Sequence, residues 1–301
     1  MTRSSTEAAV VSDVSPGVDK PTAQRPGSTE QQGREAAEAF RRDHQLGRQP
    51  LGDLLTLIEQ ATGCDVAIVE GDPDEHGMVM RDPVTKRIYI AVARTSHPMR
   101  QRSSLAHELA HVVFEDWHDG DLAERSPAER RADAFARHLL IPEAGVRDFF
   151  TASEPLTEAD LSSVVQHFQV SPAMAAIALS NCGFIDENTK DGWKSLSTPA
   201  LATRFGWREQ YRALSDAANR VRAPQRLLAR AITGYGAGVV SPAVIASLRG
   251  LSADAVVEEL TAAGITPPSV DVPWASEEDM TPAGIDLSDL DADFEAGENG
   301  D

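Results

Sequence analysis

A chain of 301 residues with 41% hydrophobic content is long enough for one or two domains with a real core. The net charge of −19 is uneven: residues 271–301 carry eleven acidic residues and no basic one, leaving −8 for the rest, which disfavours nonspecific nucleic-acid binding. The two cysteines, Cys64 and Cys182, lie far apart without metal-ligand spacing, no apolar signal core opens the chain, and no run approaches the roughly 18 apolar residues of a membrane span. A cytoplasmic protein without a membrane association is expected.

Residues 1–33 are rich in Ser, Thr, Pro and Gly without apolar periodicity and read as disordered. Residues 34–43 form a short helix with Phe40 as its only large anchor, and 51–61 an amphipathic one through Leu54, Leu55, Leu57 and Ile58, stopped by Gly63. Strands follow at 66–69, around 78–80 and at 87–93, with turn chemistry in Asp82-Pro83-Val84-Thr85-Lys86. The order of helix, three strands and two further helices predicts an α+β, zincin-like core with a small antiparallel sheet. Its exposed edge could bind an extended peptide by strand addition.

The next helix starts at Ser96 and Pro98 and carries Leu105, Ala106, Leu109, Ala110, Val113 and Phe114 at helical spacing. Within it stands His107-Glu108-Leu109-Ala110-His111, an HExxH motif. Imidazoles four residues apart share one helical face and can hold one Zn²⁺ between them. Glu108, beside that face, can take a proton from water at the metal.

A catalytic zinc site needs a third protein ligand. The helix opened by Ser126-Pro127 carries Glu129, Ala132, Asp133, Ala136 and Leu140 on one stripe, and Pro142 follows its end. Glu129 could complete a His-His-Glu set, with Asp133 as the outer acceptor for a ligand imidazole. The same Ser126 and Glu129 also spell a capping box, in which the glutamate reaches back to the N-cap amide. Asp116 and His118 are further candidate ligands, although Phe114 stands where a metzincin needs glycine.

His107-Glu108-Leu109-Ala110-His111, followed by Glu129-x-x-Ala132-Asp133-x-Phe135-Ala136-x-x-Leu139-Leu140-Ile141-Pro142, resembles the ImmA/IrrE family of bacterial metallo-endopeptidases, a gluzincin-like group. Arg100-x-Arg102 and Leu105-Ala106 match the family's lead-in, while Ser103 departs from its usual aromatic residue. The resemblance covers roughly residues 50–185. It implies His107, His111 and Glu129 as zinc ligands and Glu108 as the catalytic base. It also implies a protein substrate, a helix-turn-helix transcriptional repressor whose cleavage releases the genes it silences.

Beyond the zinc helices, two helical segments in 157–181 break near Gln169-Val170-Ser171-Pro172 in a helix-turn-helix outline. No Lys or Arg occurs between Arg147 and Lys190, so the pair reads as structural and direct DNA binding is not expected. Residues 195–268 read as a separate helical C-terminal domain after a protease domain of 34–185, and 271–301 as an acidic disordered tail. Arg204, Arg208 and Arg212 are expected on one helical face beside Trp207 and Tyr211, with Arg220, Arg222, Arg226 and Arg230 beyond; this face could dock the tail. A small helical pair fills 241–263.

The expected activity is zinc-dependent cleavage of a peptide bond by an intracellular endopeptidase. Two other readings are a binding protein that sequesters a repressor around a structural zinc, and a zinc hydrolase of a non-peptide bond. Tyr89, His97, Arg100, Arg102 and His118 are the candidate oxyanion donors.

Overall fold

The computed structural model describes residues 27–71, 77–117, 126–150 and 155–268. His118, most of the N-terminal segment and the acidic tail lie outside the described residues. In chain order the elements are α1 (Thr29–Asp43), α2 (Leu54–Thr62), β1 (Asp65–Val69), β2 (Met78–Arg81), β3 (Ile88–Ala93), α3 (Pro98–Phe114), α4 (Pro127–Leu140), α5 (Glu143–Phe149), α6 (Glu158–Phe168), α7 (Pro172–Asn181), α8 (Glu187–Lys194), α9 (Thr198–Arg204), α10 (Arg208–Ala218), α11 (Gln225–Gly236), α12 (Pro242–Arg249) and α13 (Ala253–Ala262). The fold is a mixed α+β one, with a small sheet and a mostly helical remainder.

The sheet has the order β1-β3-β2. It is mixed and not antiparallel as expected: β2 pairs antiparallel with β3, but β1 pairs parallel with it. The reason is connectivity. The β2–β3 hairpin occupies one edge of β3, so β1 takes the other edge and runs the same way as β3. Ile90 and Val92 on β3, with Val66 and Ile68 on β1, pack against Leu105 and Leu109 in one core. Met78 and Met80 are exposed on the other sheet face, and Tyr89, in register with Met80, shares it.

Helix α1 begins at Thr29, earlier than the expected 34, capped by Ser28. It lies along α4 at close range: a Cβ on Gly33 would stand 2.6 Å from the Ala134 Cβ and 2.7 Å from the Arg131 carbonyl oxygen. The buried Arg41 of α1 donates to the carbonyls of Leu139 (2.8 Å), Gly47 (2.9 Å) and Gln49 (3.1 Å), tying helix ends and loop together. Burial draws its guanidinium down to about 10.

Two cores divide the chain differently from the sequence expectation. Trp193, Leu201, Trp207 and Tyr211 belong to the core that holds the sheet and α3. Trp207 Nε1 donates to Ser162 Oγ (2.9 Å), and Gln101 Nε2 to the Ala218 carbonyl (2.8 Å). Helices α8 to α10 therefore extend the first unit, and α11 to α13 form a second core around Ala231, Tyr235, Ile245, Val256 and Leu260. The expected boundary at 186–194 moves to 219–224. There the chain bridges to β1, with Arg222 and Ile68 exchanging backbone hydrogen bonds of 2.8 and 2.9 Å.

Of the expected arginine face, Arg208 and Arg212 stand one turn apart on α10, both exposed, and Arg204 is separated from them. Helix α9 ends at Arg204 and Gly206 turns the chain with φ +82° before α10. Arg204 pairs with Glu158, Arg212 with Glu209, Arg222 with Asp53 and Arg226 with Asp65. No helix among the described residues is long and apolar enough to cross a membrane.

Candidate metal centre

Helix α3 holds the HExxH residues because its inner stripe is apolar. Leu105, Ala106, Leu109 and Ala110 are fully buried, and the histidines sit at the edge of that stripe. Helix α4 packs across it on Ala132 and Ala136, small residues that let two helices come close. That approach brings His107, His111 and Glu129 together, with their ligand atoms all within 4.8 Å of one another.

The geometry at the centre is tight. His111 Nε2 lies 3.2 Å from His107 Nε2, and the Glu129 carboxylate places one oxygen 3.0 Å from His107 Nε2 and the other 3.4 Å from His111 Nε2. Donors about 2.0–2.1 Å from a tetrahedral ion are about 3.3 Å apart, so the set fits a small divalent cation. The facing donors also argue for one: two imidazole lone pairs and a carboxylate turned on each other repel unless a cation or shared protons lie between them.

The capping question at Glu129 resolves in the same view. Ser126 Oγ accepts from the Glu129 amide at 3.2 Å and caps α4. The Glu129 carboxylate is turned to the imidazoles, not back to the N-cap amide.

The outer nitrogens have partners of their own. His107 Nδ1 lies 2.9 Å from Asp133 Oδ1. Asp116, a candidate ligand by sequence, faces the outer Nδ1 of His111 at 3.5 Å and not the inner nitrogens. Burial lowers the basicity of both imidazoles. In His107 the carboxylates of Asp133, Glu108 and Glu129 outweigh it and raise the group; in His111 burial and the neighbouring His107 hold it down. The hydrogen bond from His107 lowers Asp133.

Glu108 is buried, and Gly77 lies against it: a Cβ there would come 2.5 Å from its Cγ and 2.7 Å from Oε1. Burial, aided by Glu129 and opposed by His107, pushes its carboxyl up to about 7. That suits a group that must both take and return a proton near neutrality. Gly77 drew no attention in the sequence, because only the fold brings it to α3.

Three of the candidate oxyanion donors, Arg102, His97 and Tyr89, are placed elsewhere. Arg102 donates to the carbonyls of Gly52 (2.8 Å) and Leu51 (2.7 Å). His97 caps the start of α3, about 16 Å along the helix from Glu108. Tyr89 lies on the sheet face opposite Ile90 and Val92, and His118 is outside the described residues.

A buried carboxylate beside a His-His-Glu donor set, on two packed helices of an α+β fold, defines a candidate metal-dependent hydrolytic centre. Residues 65–180 match the model of the Peptidase_M78 family, described as the IrrE N-terminal-like domain. That stretch, and not the whole chain, carries the likeness to a family of peptidases. A comparison with curated proteins gives no match.

Proposed function

We propose that this chain is a zinc-dependent endopeptidase. The observation that carries the reading is the convergence of His107, His111 and Glu129 with the buried Glu108 beside them. Zinc, when bound, polarises a peptide carbonyl and acidifies a water molecule. His107, His111 and Glu129 would hold it from one side, with Asp133 fixing the tautomer of His107. Glu108 takes the water proton and returns it to the leaving amine as the C–N bond breaks.

The substrate would lie along β2. Asp82 N–H bonds the Arg87 carbonyl at 2.8 Å, and the antiparallel alternation from that pair turns the amide groups of Met80 inward to β3 and those of Val79 and Arg81 outward. Gly77 continues this outer edge beside Glu108. An extended peptide paired there would bring its carbonyls to the site.

The proposed target is a helix-turn-helix repressor cut in an accessible linker; this rests on the family resemblance. The test is incubation of the zinc-loaded protein, wild type and Glu108→Gln, with helix-turn-helix repressors from the same genome. Wild type should cut, and the variant should keep its zinc while cutting at least ~100-fold more slowly. An intact repressor beside zinc-loaded wild type would overturn the repressor assignment. Unimpaired derepression by Glu108→Gln would favour sequestration.

A further inference from the structure

We propose that Asp116, clamped by Arg131, positions His111 for the metal. The inference rests on the reading of His107, His111 and Glu129 as ligands. An imidazole that gives its Nε2 lone pair to a metal carries its proton on Nδ1, and that proton needs an acceptor. His107 has one in Asp133. His111 Nδ1 is buried and makes no hydrogen bond, although Asp116 Oδ2 stands 3.5 Å away. An approach of about half an ångström would complete the bond.

The chain places Asp116 there by a built turn. Helix α3 stops at Glu115 in the left-handed region (φ 54°), and the chain folds back so that the Asp116 N–H bonds the His111 carbonyl at 2.9 Å. The side chain is then held by Arg131, whose Nη2 donates to both carboxylate oxygens at 2.7 and 2.9 Å. The Arg131 guanidinium lies over the Phe114 ring at 4.1 Å, and its Nη1 donates to Gln32 Oε1 of α1 at 3.4 Å. Arg131 stands two residues after Glu129 on α4, so one helix supplies a metal ligand and the clamp behind another.

The two imidazoles are held unequally. The Asp133 side chain is 69% exposed and that of Asp116 only 10%. Water can replace the Asp133 contact more readily than the Asp116 one, so His111 depends more on its carboxylate. Arg131 acts through Asp116 and touches no reacting atom, which makes it a positioning residue.

Zinc affinity, measured by competition with a chromophoric chelator, and the visible spectrum of the cobalt-substituted protein test this. Asp116→Ala should weaken zinc binding roughly 10- to 100-fold and alter the cobalt bands, and Asp116→Asn, whose amide oxygen still accepts, should recover much of both. Arg131→Met, which keeps its stem on Phe114, should weaken zinc roughly fivefold on its own and add nothing in the Asp116→Ala background. If Asp116→Ala does not fold, Arg131→Met alone decides. Melting temperatures that fall while zinc affinity and the cobalt spectrum stay at wild type would overturn the proposal, as would additive losses in the double variant. Wild type that takes up no zinc, or Glu129→Ala with undiminished affinity, would instead overturn the ligand assignment.

Discussion

At the scale of single residues, the site works by placing charges where water cannot relax them. Glu108 is the case with a measurable consequence. Its folded carboxyl, raised by burial to about 7, lies above the ordinary glutamate value of 4.5. Folding therefore favours its protonated form, and the stability linked to that form is complete below about pH 4.5 and lost as pH rises through about 7. At about 1.4 kcal/mol per pH unit, the loss amounts to about 3 kcal/mol. In the presence of a chelator, wild type should lose roughly this much between pH 4.5 and 8, and Glu108→Gln should not. Urea unfolding across that range checks it; parallel curves would remove burial of Glu108 as the cause. The HExxH residues were legible from spacing alone. The choice between cap and ligand at Glu129 was not, because both use the same backbone position and differ only in which way the carboxylate turns.

At the scale of elements, α1 shows what a sequence pattern hides. Its first three turns bury Gly33 and Ala37, residues too small to give an apolar stripe, so only Phe40 announced the helix. Small residues are what the close approach to α4 needs. Ala is normally favoured over Gly in a helix by about 1 kcal/mol, but at position 33 the added Cβ meets backbone atoms at 2.7 Å. Gly33→Ala should therefore destabilise the protein by about 1–3 kcal/mol. A stabilised variant in thermal unfolding would show that α1 has room to shift. The edge strand offers a second contrast. Val79→Pro removes an outward N–H and leaves the β3 ladder whole, so it should raise KM for an extended peptide about fivefold through one lost hydrogen bond. Met80→Pro removes a ladder donor and should unfold the hairpin. Equal effects of the two on KM and on stability would argue against strand addition at β2.

At the scale of the molecule, the second core is fastened to the edge of the sheet away from β2. Arg226 donates to Asp65 at 3.2 Å, and Arg222 bridges to Ile68 while pairing with Asp53. Asp65 is buried and, among the described residues, keeps the Arg87 guanidinium at 3.6 Å if Arg226 is removed. Arg226 is half exposed, so its loss should cost about 1–2 kcal/mol, less than a fully buried pair. In Arg226→Ala, protease cleavage within 219–224 should quicken while zinc affinity stays at wild type. A weakened metal site would instead mean that the second core supports the catalytic face.

The sequence by itself determined the α+β order of elements, the helix that carries His107, Glu108 and His111, and the residues that could join them. Those signals are local: periodicity, caps and spacing act within a few turns of chain. Tertiary structure alone decided the mixed sheet, the place of Gly77 beside Glu108, the pairing of Arg222 with Asp53 and of Arg226 with Asp65, and the clamp of Arg131 on Asp116. Each depends on two segments distant in sequence meeting at a particular angle and depth. Packing of whole elements sets that meeting, and no local pattern encodes it.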